Sequence, residues 1–499
     1  MEGRPLFSHS QTPWSTRLLA TAIFALLGWS SWARGGTPTG LQGPLPWLAL
    51  AILIFLALDR WTFASSPLST SNHQPLTLHP PPSPINHPPS TINHLSSTAL
   101  IFWTGLAFLT LLTIQWWNAG RYPFFHPFDK QWVFTPPPHP GWPWAVNRDD
   151  AAEMLRWFFP AWALMLALKM APRPDWLAKR VAWFLMINAG LLAAFGIIQA
   201  LSGTHKIFWI TPLPVHFFAS FGYENHAASF FAILFPFSAG ILLQSLTIKG
   251  DRVRNLRGKA TRLPTTIASA CMWLCLAGMA LSLSRTGLAL TIGLTGAALM
   301  VAARLFWPRV SIAQRVTITV VLTMGLAIFF FVVASMGGKP LAKEARHLYR
   351  AHLAHEVSVR VFMAQSAAKI WVSEPWFGVG GWGYRHFMPI HALEGTGTKL
   401  CPGYANTHND ALQFLCEFGI VGFGLMLTAT MAFAWPLITN LRRHLTPGLA
   451  LAGAGLLAVL GHSLIDLPFR CPGILYAWLA VLGISQYAQG NDHAPLPSR

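Results

Sequence analysis

Long apolar runs separated by short polar breaks dominate this chain of 499 residues. Twelve runs approach the roughly 17–25 residues a helix needs to cross ~30 Å of hydrocarbon. They lie near 17–33, 45–59, 98–117, 151–170, 180–202, 223–246, 265–283, 287–304, 316–336, 411–435, 448–465 and 472–488. The pattern predicts an all-α polytopic membrane protein with about twelve transmembrane helices. The first run, with Arg17 ahead of it and Ser31-Trp32-Ala33 behind it, also has the look of a cleavable signal. The many spans that follow favour a retained anchor. Residues 1–59 then hold the first two helices, 60–97 a linker, 98–336 helices three to nine, 337–410 a large outer loop, 411–488 helices ten to twelve, and 489–499 a tail.

Two polar segments interrupt the pattern. Residues 60–97 (HPPPSPINHPPSTINH and flanks) are rich in Pro, Ser, Thr and Asn, a composition that stays extended and packs no core. The histidines at 73, 79, 87 and 94 are irregularly spaced among prolines, so an inert linker is favoured over a metal site. Residues 337–410 combine a charged stretch, a tryptophan-rich stretch and a glycine-rich stretch, and are expected to fold as a lid on the membrane domain.

Composition sharpens this reading. Only 10% of residues are charged and 53% are apolar, against about 25% charged in soluble domains, which excludes a water-soluble globular fold. The net charge of +18 is explained by its location. Lys169, Arg173, Lys179 and Arg180, the loop KGDRVRNLRGK at 249–259, Arg304, Arg309, Arg315, Arg442 and Arg443 border short segments on one side. The positive-inside rule makes that side cytoplasmic and puts both termini there. No nucleic-acid partner is needed to account for the excess. The five cysteines at 271, 275, 401, 416 and 471 form neither a disulfide framework nor a zinc pattern. Cys401 and Cys471 both face outward, which leaves a disulfide between them open.

Ionisable residues at membrane depth are costly and mark functional positions. Here they gather at outward helix ends. Ser282-Leu283-Ser284-Arg285-Thr286-Gly287 is a tight turn whose Arg285 either forks onto phosphate oxygens or snorkels to headgroups. Arg360 is a second outward guanidinium on the segment leading to Gly378-Val379-Gly380-Gly381-Trp382-Gly383, whose glycines suit loop architecture and fail as a dinucleotide fingerprint. In Thr407-His408-Asn409-Asp410, running on to Glu417, Thr407 or Asn409 is a plausible N-cap, leaving His408 at a helix start. The positive helix end favours the neutral imidazole that accepts a proton, and Asp410 opposes it. Tyr223-Glu224-Asn225-His226 opens another span and either lines the same chamber or bonds between helices. His462 and Asp466 flank a further outer helix end.

The order of these motifs carries a resemblance. FGYENHAASFFAILFP at 221–236, SLSRTGLAL at 282–290, Arg360 through EPWFGVGGWG at 374–383, THNDALQFLCEFGIVGFGL at 407–425 and HSLIDLP at 462–468 together resemble the O-antigen ligase and O-antigen polymerase superfamily of bacterial inner-membrane glycosyltransferases. The resemblance covers about 220–470. It implies a GT-C-like fold with a large periplasmic loop and a polyprenyl-diphosphate-linked glycan as donor. It implies that Arg285 and Arg360 bind the donor diphosphate and that His408 activates the acceptor hydroxyl. Asn225, His226, Ser284, Gly380, Asn409, Glu417 and Asp466 are secondary candidates. The chain departs from the family's commoner pattern at Tyr223-Glu224-Asn225-His226, where Asn-x-Asn is frequent, and in its Pro-rich linker.

The expected reaction is inverting transfer in the bacterial inner membrane with its site facing the periplasm. His408 takes the acceptor proton, and two guanidinia offset the leaving diphosphate. No metal or cofactor is expected. Acceptors left open are a lipid A core, another glycan (a polymerase) or a protein side chain (an oligosaccharyltransferase). A transporter would place its polar groups near the membrane midplane in two related halves, and neither feature is present. Non-catalytic scaffolding is weakened by three motifs that meet on one face.

Overall fold

The computed structural model describes residues 12–65, 90–129, 131–213, 216–247, 262–309, 312, 315, 316, 319, 323, 327, 352–396 and 405–487. Its helices, in chain order, are α1 (Trp14–Trp32), α2 (Pro44–Ala64), α3 (Ser90–Trp117), α4 (Arg148–Met170), α5 (Pro174–Leu201), α6 (Glu224–Thr247) and α7 (Arg262–Leu281). They continue with α8 (Arg285–Val301), α9 (His352–Ser373), α10 (Tyr384–Thr396), α11 (Asp410–Arg443), α12 (Pro447–His462) and α13 (Pro472–Ile484). Two antiparallel hairpins, β1 (Pro123–His126) with β2 (Gln131–Phe134) and β3 (Lys206–Ile207) with β4 (Thr211–Pro212), qualify the all-α expectation. Both lie in connections between helices.

Eight described helices, α2 to α8 and α11, are long and apolar enough to cross a membrane. Of the twelve runs expected, α1, α12 and α13 form where anticipated but fall short. α12 has 16 residues between its Thr446 cap and His462, and α13 has 13. The run at 316–336 lies almost entirely outside the described residues. So does the loop at 249–259 on which sidedness leaned. The linker is shorter than 60–97: α2 runs on to Ala64 and α3 already begins at Ser90. Much of the helix extension is apolar or aromatic, as at Trp61 and Phe63, and helical hydrogen bonding satisfies its backbone. His73, His79 and His87 lie outside the described residues.

Helix starts follow from local chemistry. Asn147 caps α4 by accepting from Asp150 N at 2.8 Å, with Asp149 and Asp150 in the first turn and Lys169 in the last, the charge order the helix dipole favours. Thr446 caps α12 ahead of Pro447, a residue that loses nothing at a first helical position. α4, α6 and α13 make the centre, and α1 is built into it, with Leu19, Ile23 and Leu26 fully buried.

The approach of α12 to α6 fixes the later site. Pro236 lacks the N–H that would bond Ala232 O, and Gly455 sits there. A Cβ on Gly455 would stand 2.8 Å from Pro236 Cγ and 3.0 Å from Ala232 O. Only a small residue allows that contact.

The two ends of the bundle differ. At one, Arg60 Nη1 donates to Met170 O at 3.1 Å and Tyr487 Oη to Leu168 O at 3.1 Å, which joins the ends of α2, α4 and the turn after α13. At the other end, α9, α10 and the β1–β2 hairpin enclose a second, smaller core containing Trp144, Ile370, Val379, Tyr384 and Phe387. The 337–410 segment thus contributes α9 and α10, while residues 337–351 and 397–404 lie outside the description.

Candidate active site

At the end that carries the second core, one carboxylate draws four sequence motifs together. Asp466, in the turn after α12, accepts from His408 Nδ1 at 3.2 Å and from its neighbour Leu467 N at 2.9 Å on Oδ1. Its Oδ2 accepts from Tyr223 Oη at 3.1 Å and from Asn225 Nδ2. His462 Nε2 stands 3.7 Å from Oδ2. Asn225 also donates to Tyr223 Oη at 2.6 Å, and its Oδ1 accepts from Ser284 Oγ. The SLSRTG turn is therefore wired to Asp466 through one asparagine.

Burial by itself would raise the pKa of Asp466. The hydrogen bond from His408 and the charges of His408, His462 and His226 outweigh it and hold the carboxyl well below the usual range. Tyr223 shows the converse: burial first, then the charge of Asp466, push its phenol far up, so it stays a hydrogen-bond donor. His226 donates from Nε2 to Leu467 O at 3.2 Å and packs edge-on to Tyr223. His462 Nδ1 lies 2.8 Å from Ser229 Oγ.

His408 is presented by a clamped turn. Its φ of 51° is uncommon for a residue with a Cβ. Thr407 Oγ1 donates to Asn409 O at 2.7 Å and accepts from Asn409 N at 3.1 Å, while Thr407 N donates to Gln413 Oε1 at 2.8 Å. Asn409 is the N-cap of α11, accepting from Leu412 N at 3.0 Å, and its amide donates to Leu464 O at 2.9 Å. Asp410 N donates to Ser463 O at 2.8 Å, and Phe469 N donates back to Asp410 Oδ2 at 2.9 Å. These bonds stitch the start of α11 to residues 463–469 and hold the imidazole against Asp466. The His408 side chain is 31% exposed and that of Asp466 2%, so the imidazole alone of the pair is open to a ligand.

The SLSRTG turn has the same economy. Leu283 adopts φ 56°, Ser284 caps α8 by accepting from Gly287 N at 3.0 Å, and a Cβ on Gly287 would lie 2.8 Å from Ala228 Cβ. Arg285 becomes the first residue of α8, half-buried, where the helix end adds to its attraction for anions. Arg360 is half-buried on α9, close enough for its charge to act on His462.

Gly380 and Glu417 lie apart from this cluster. α11 breaks at Gly419, with φ 63° and ψ −174°. There Val379 N and Gly380 N donate to the freed carbonyls of Cys416 and Glu417 at 3.1 and 2.9 Å. Ile420 N and Val421 N donate to Pro375 and Trp376 carbonyls at 2.9 and 3.1 Å. The glycine-rich loop is a backbone splice into the helix, the architectural reading of that motif. The Glu417 side chain is fully buried, accepts from Gln413 Nε2 at 2.6 Å and pairs with Arg470. Arg470 stacks 4.7 Å from the centre of the Trp382 ring and 5.1 Å from Phe414. Glu417 thus holds the fold around His408 through Gln413 and does not face the site.

Among the described residues Cys471 is a buried free thiol that donates to Gly35 O at 3.2 Å, and Cys401 lies outside them. The sequence offers Asp466 as a secondary candidate and Tyr223 only within its motif, and it does not mark Arg470. The four-residue spacing of His462 and Asp466 was the available signal for the first.

No curated protein matches the chain. A family model described as O-antigen ligase matches residues 270–427, from within α7 to within α11. That stretch includes Arg285, Arg360 and His408, while Tyr223, Asn225 and Asp466 lie on either side of it. The chain is a multi-pass helical membrane protein, and its residues 270–427 are similar to the O-antigen ligase family.

Proposed function

We propose that the chain transfers a glycan from a polyprenyl-diphosphate carrier to an acceptor hydroxyl, at a site facing the periplasm of a bacterial inner membrane. The observation that carries this reading is the exposed His408 held by the buried, charged Asp466 at the end of the bundle where Arg285 and Arg360 also lie.

In this mechanism Nδ1–H of His408 donates to Asp466, which leaves Nε2 to take the acceptor proton. Asp466 stays ionised and stabilises the imidazolium that forms, the division of labour seen in other His–Asp pairs. The deprotonated hydroxyl attacks the anomeric carbon, the bond to the diphosphate oxygen breaks, and the sugar inverts. Arg285, aided by the first N–H groups of α8, and Arg360 offset the charge that grows on the leaving diphosphate. Guanidinia suit this task because they stay charged and present planar forks of donors. Transfer is expected to survive chelation of divalent ions.

Ligation to a lipid A core is the preferred reading, with glycan polymerisation and protein glycosylation as alternatives within the same chemistry. Deleting the gene and comparing surface glycans separates them. Loss of all long lipid-attached chains supports ligation, single-repeat products support polymerisation, and lost protein glycosylation alone supports an oligosaccharyltransferase. Unchanged glycans on lipid and protein alike would overturn the proposal.

A further inference from the structure

A cavity of about 130 Å³ lies between the end of α5 and the segment leading into α6, away from the residues considered so far. Its wall is built rather than accidental. Gly196 lets the 217–219 segment press onto α5, since a Cβ there would stand 2.7 Å from the Phe218 ring. The loop is tied by Leu213 N donating to His205 O at 3.3 Å and by Lys206 N donating to Thr204 Oγ1 at 3.1 Å.

Gln199 lines this cavity and is 1% exposed. Its Nε2 donates to Lys206 O at 3.1 Å, but its Oε1 is buried and has no hydrogen-bond partner among the described residues. An amide oxygen left this way lacks a donor, and a bound ligand is one means of supplying it. Around it stand Thr204, His205, His216 and Phe217, and among the described residues no Lys, Arg, Asp or Glu lines it.

We infer that this cavity is a glycan subsite that takes one uncharged sugar ring, with a hydroxyl or acetamido N–H of the sugar donating to Gln199 Oε1. An uncharged, donor-rich ligand fits the lining. A lipid phosphate does not, because it brings acceptors and needs cations. Position agrees with this role. Ala219 in the wall precedes Tyr223 by four residues, at most about 14 Å of chain, and Tyr223 bonds Asp466. A sugar held here sits within a short oligosaccharide's reach of His408. The inference rests on the glycosyl-transfer reading of the His408 site.

The test uses full-length protein in nanodiscs and saturation-transfer NMR with free glucose, galactose and N-acetylglucosamine as probes, and glycerol 3-phosphate as the headgroup probe. At least one sugar is expected to give signal in wild type and in His408→Ala. Gln199→Leu is expected to weaken that signal about fivefold or more, and glycerol 3-phosphate to give none. In transfer assays Gln199→Leu should raise KM with kcat little changed, and His216→Ala should act in the same direction. No sugar signal in wild type, a signal unchanged by Gln199→Leu, or displacement by glycerol 3-phosphate overturns the subsite. Full turnover by His408→Ala would instead overturn the transfer mechanism and leave the binding result standing.

Discussion

Replacing Asp466 by asparagine keeps its shape and removes its charge. The carboxylate accepts from four donors, His408 Nδ1, Leu467 N, Tyr223 Oη and Asn225 Nδ2. Asparagine offers one oxygen and one NH₂. With the NH₂ toward His408, the imidazole must carry its proton on Nε2, the nitrogen assigned to accept the substrate proton. With the NH₂ toward Asn225, two amide donors face each other and one bond of Ser284 or Tyr223 is lost. General-base help is worth about 10²–10⁴-fold, and the equivalent change behind a serine-protease histidine costs about 10⁴-fold with geometry intact. The expected loss in kcat is therefore about 10³-fold, or roughly 4 kcal/mol, with KM little changed. Orphaned donors should cost about 1–3 kcal/mol of stability. Initial rates of glycan transfer by purified protein, paired with thermal unfolding followed by tryptophan fluorescence, read both effects. A folded Asp466→Asn variant that kept its wild-type kcat would refute the assignment of Asp466 as the partner of His408.

Other consequences follow from the same contacts. Glu417→Gln leaves Arg470 charged and buried without its partner, which should cost about 3–5 kcal/mol. The double change with Arg470→Met should recover much of it, and a double variant no more stable than the single would count against the pair. Gly380→Ala forces a side chain at φ +78° within 2.5 Å of Ala145 Cα, so a lowered unfolding temperature is expected, and an unchanged one would contradict the splice. The folded-state pKa of Asp466 lies below the ~3.9 of an unfolded chain. The stability its charge confers is full above about pH 5 and is lost only as pH falls toward the folded value. Unfolding temperatures of wild type and Asp466→Asn should thus converge in acid, and a constant gap would argue against the linkage.

Much of this architecture is legible from periodicity and local chemistry. The apolar runs locate the helices, Asn409 and Ser284 have the side chains of N-caps and act as caps, and the glycines of the 378–383 motif serve as loop architecture. What sequence leaves hidden depends on chain crossings. Tyr223 and Asn225 meet Asp466 across 243 and 241 residues of chain, so no spacing rule marks Asp466 as their shared acceptor. Arg470 has the look of an ordinary arginine at a helix end. It is buried because Glu417, Trp382 and Phe414 close around it, and those contacts exist only after α11 breaks at Gly419. Lengths mislead in another way: α12 and α13 are apolar throughout, yet their ends are set by Pro447 and Pro472 and by the turn that holds Asp466.

The central claim is that His408 performs glycan transfer from a lipid diphosphate. It is tested most directly by supplying purified protein with a polyprenyl-diphosphate-linked glycan and candidate acceptors and measuring released polyprenyl diphosphate together with glycosylated acceptor. Equal amounts of both products are expected with the wild-type protein and neither with a folded His408→Ala variant. Undiminished formation of both by His408→Ala would contradict it.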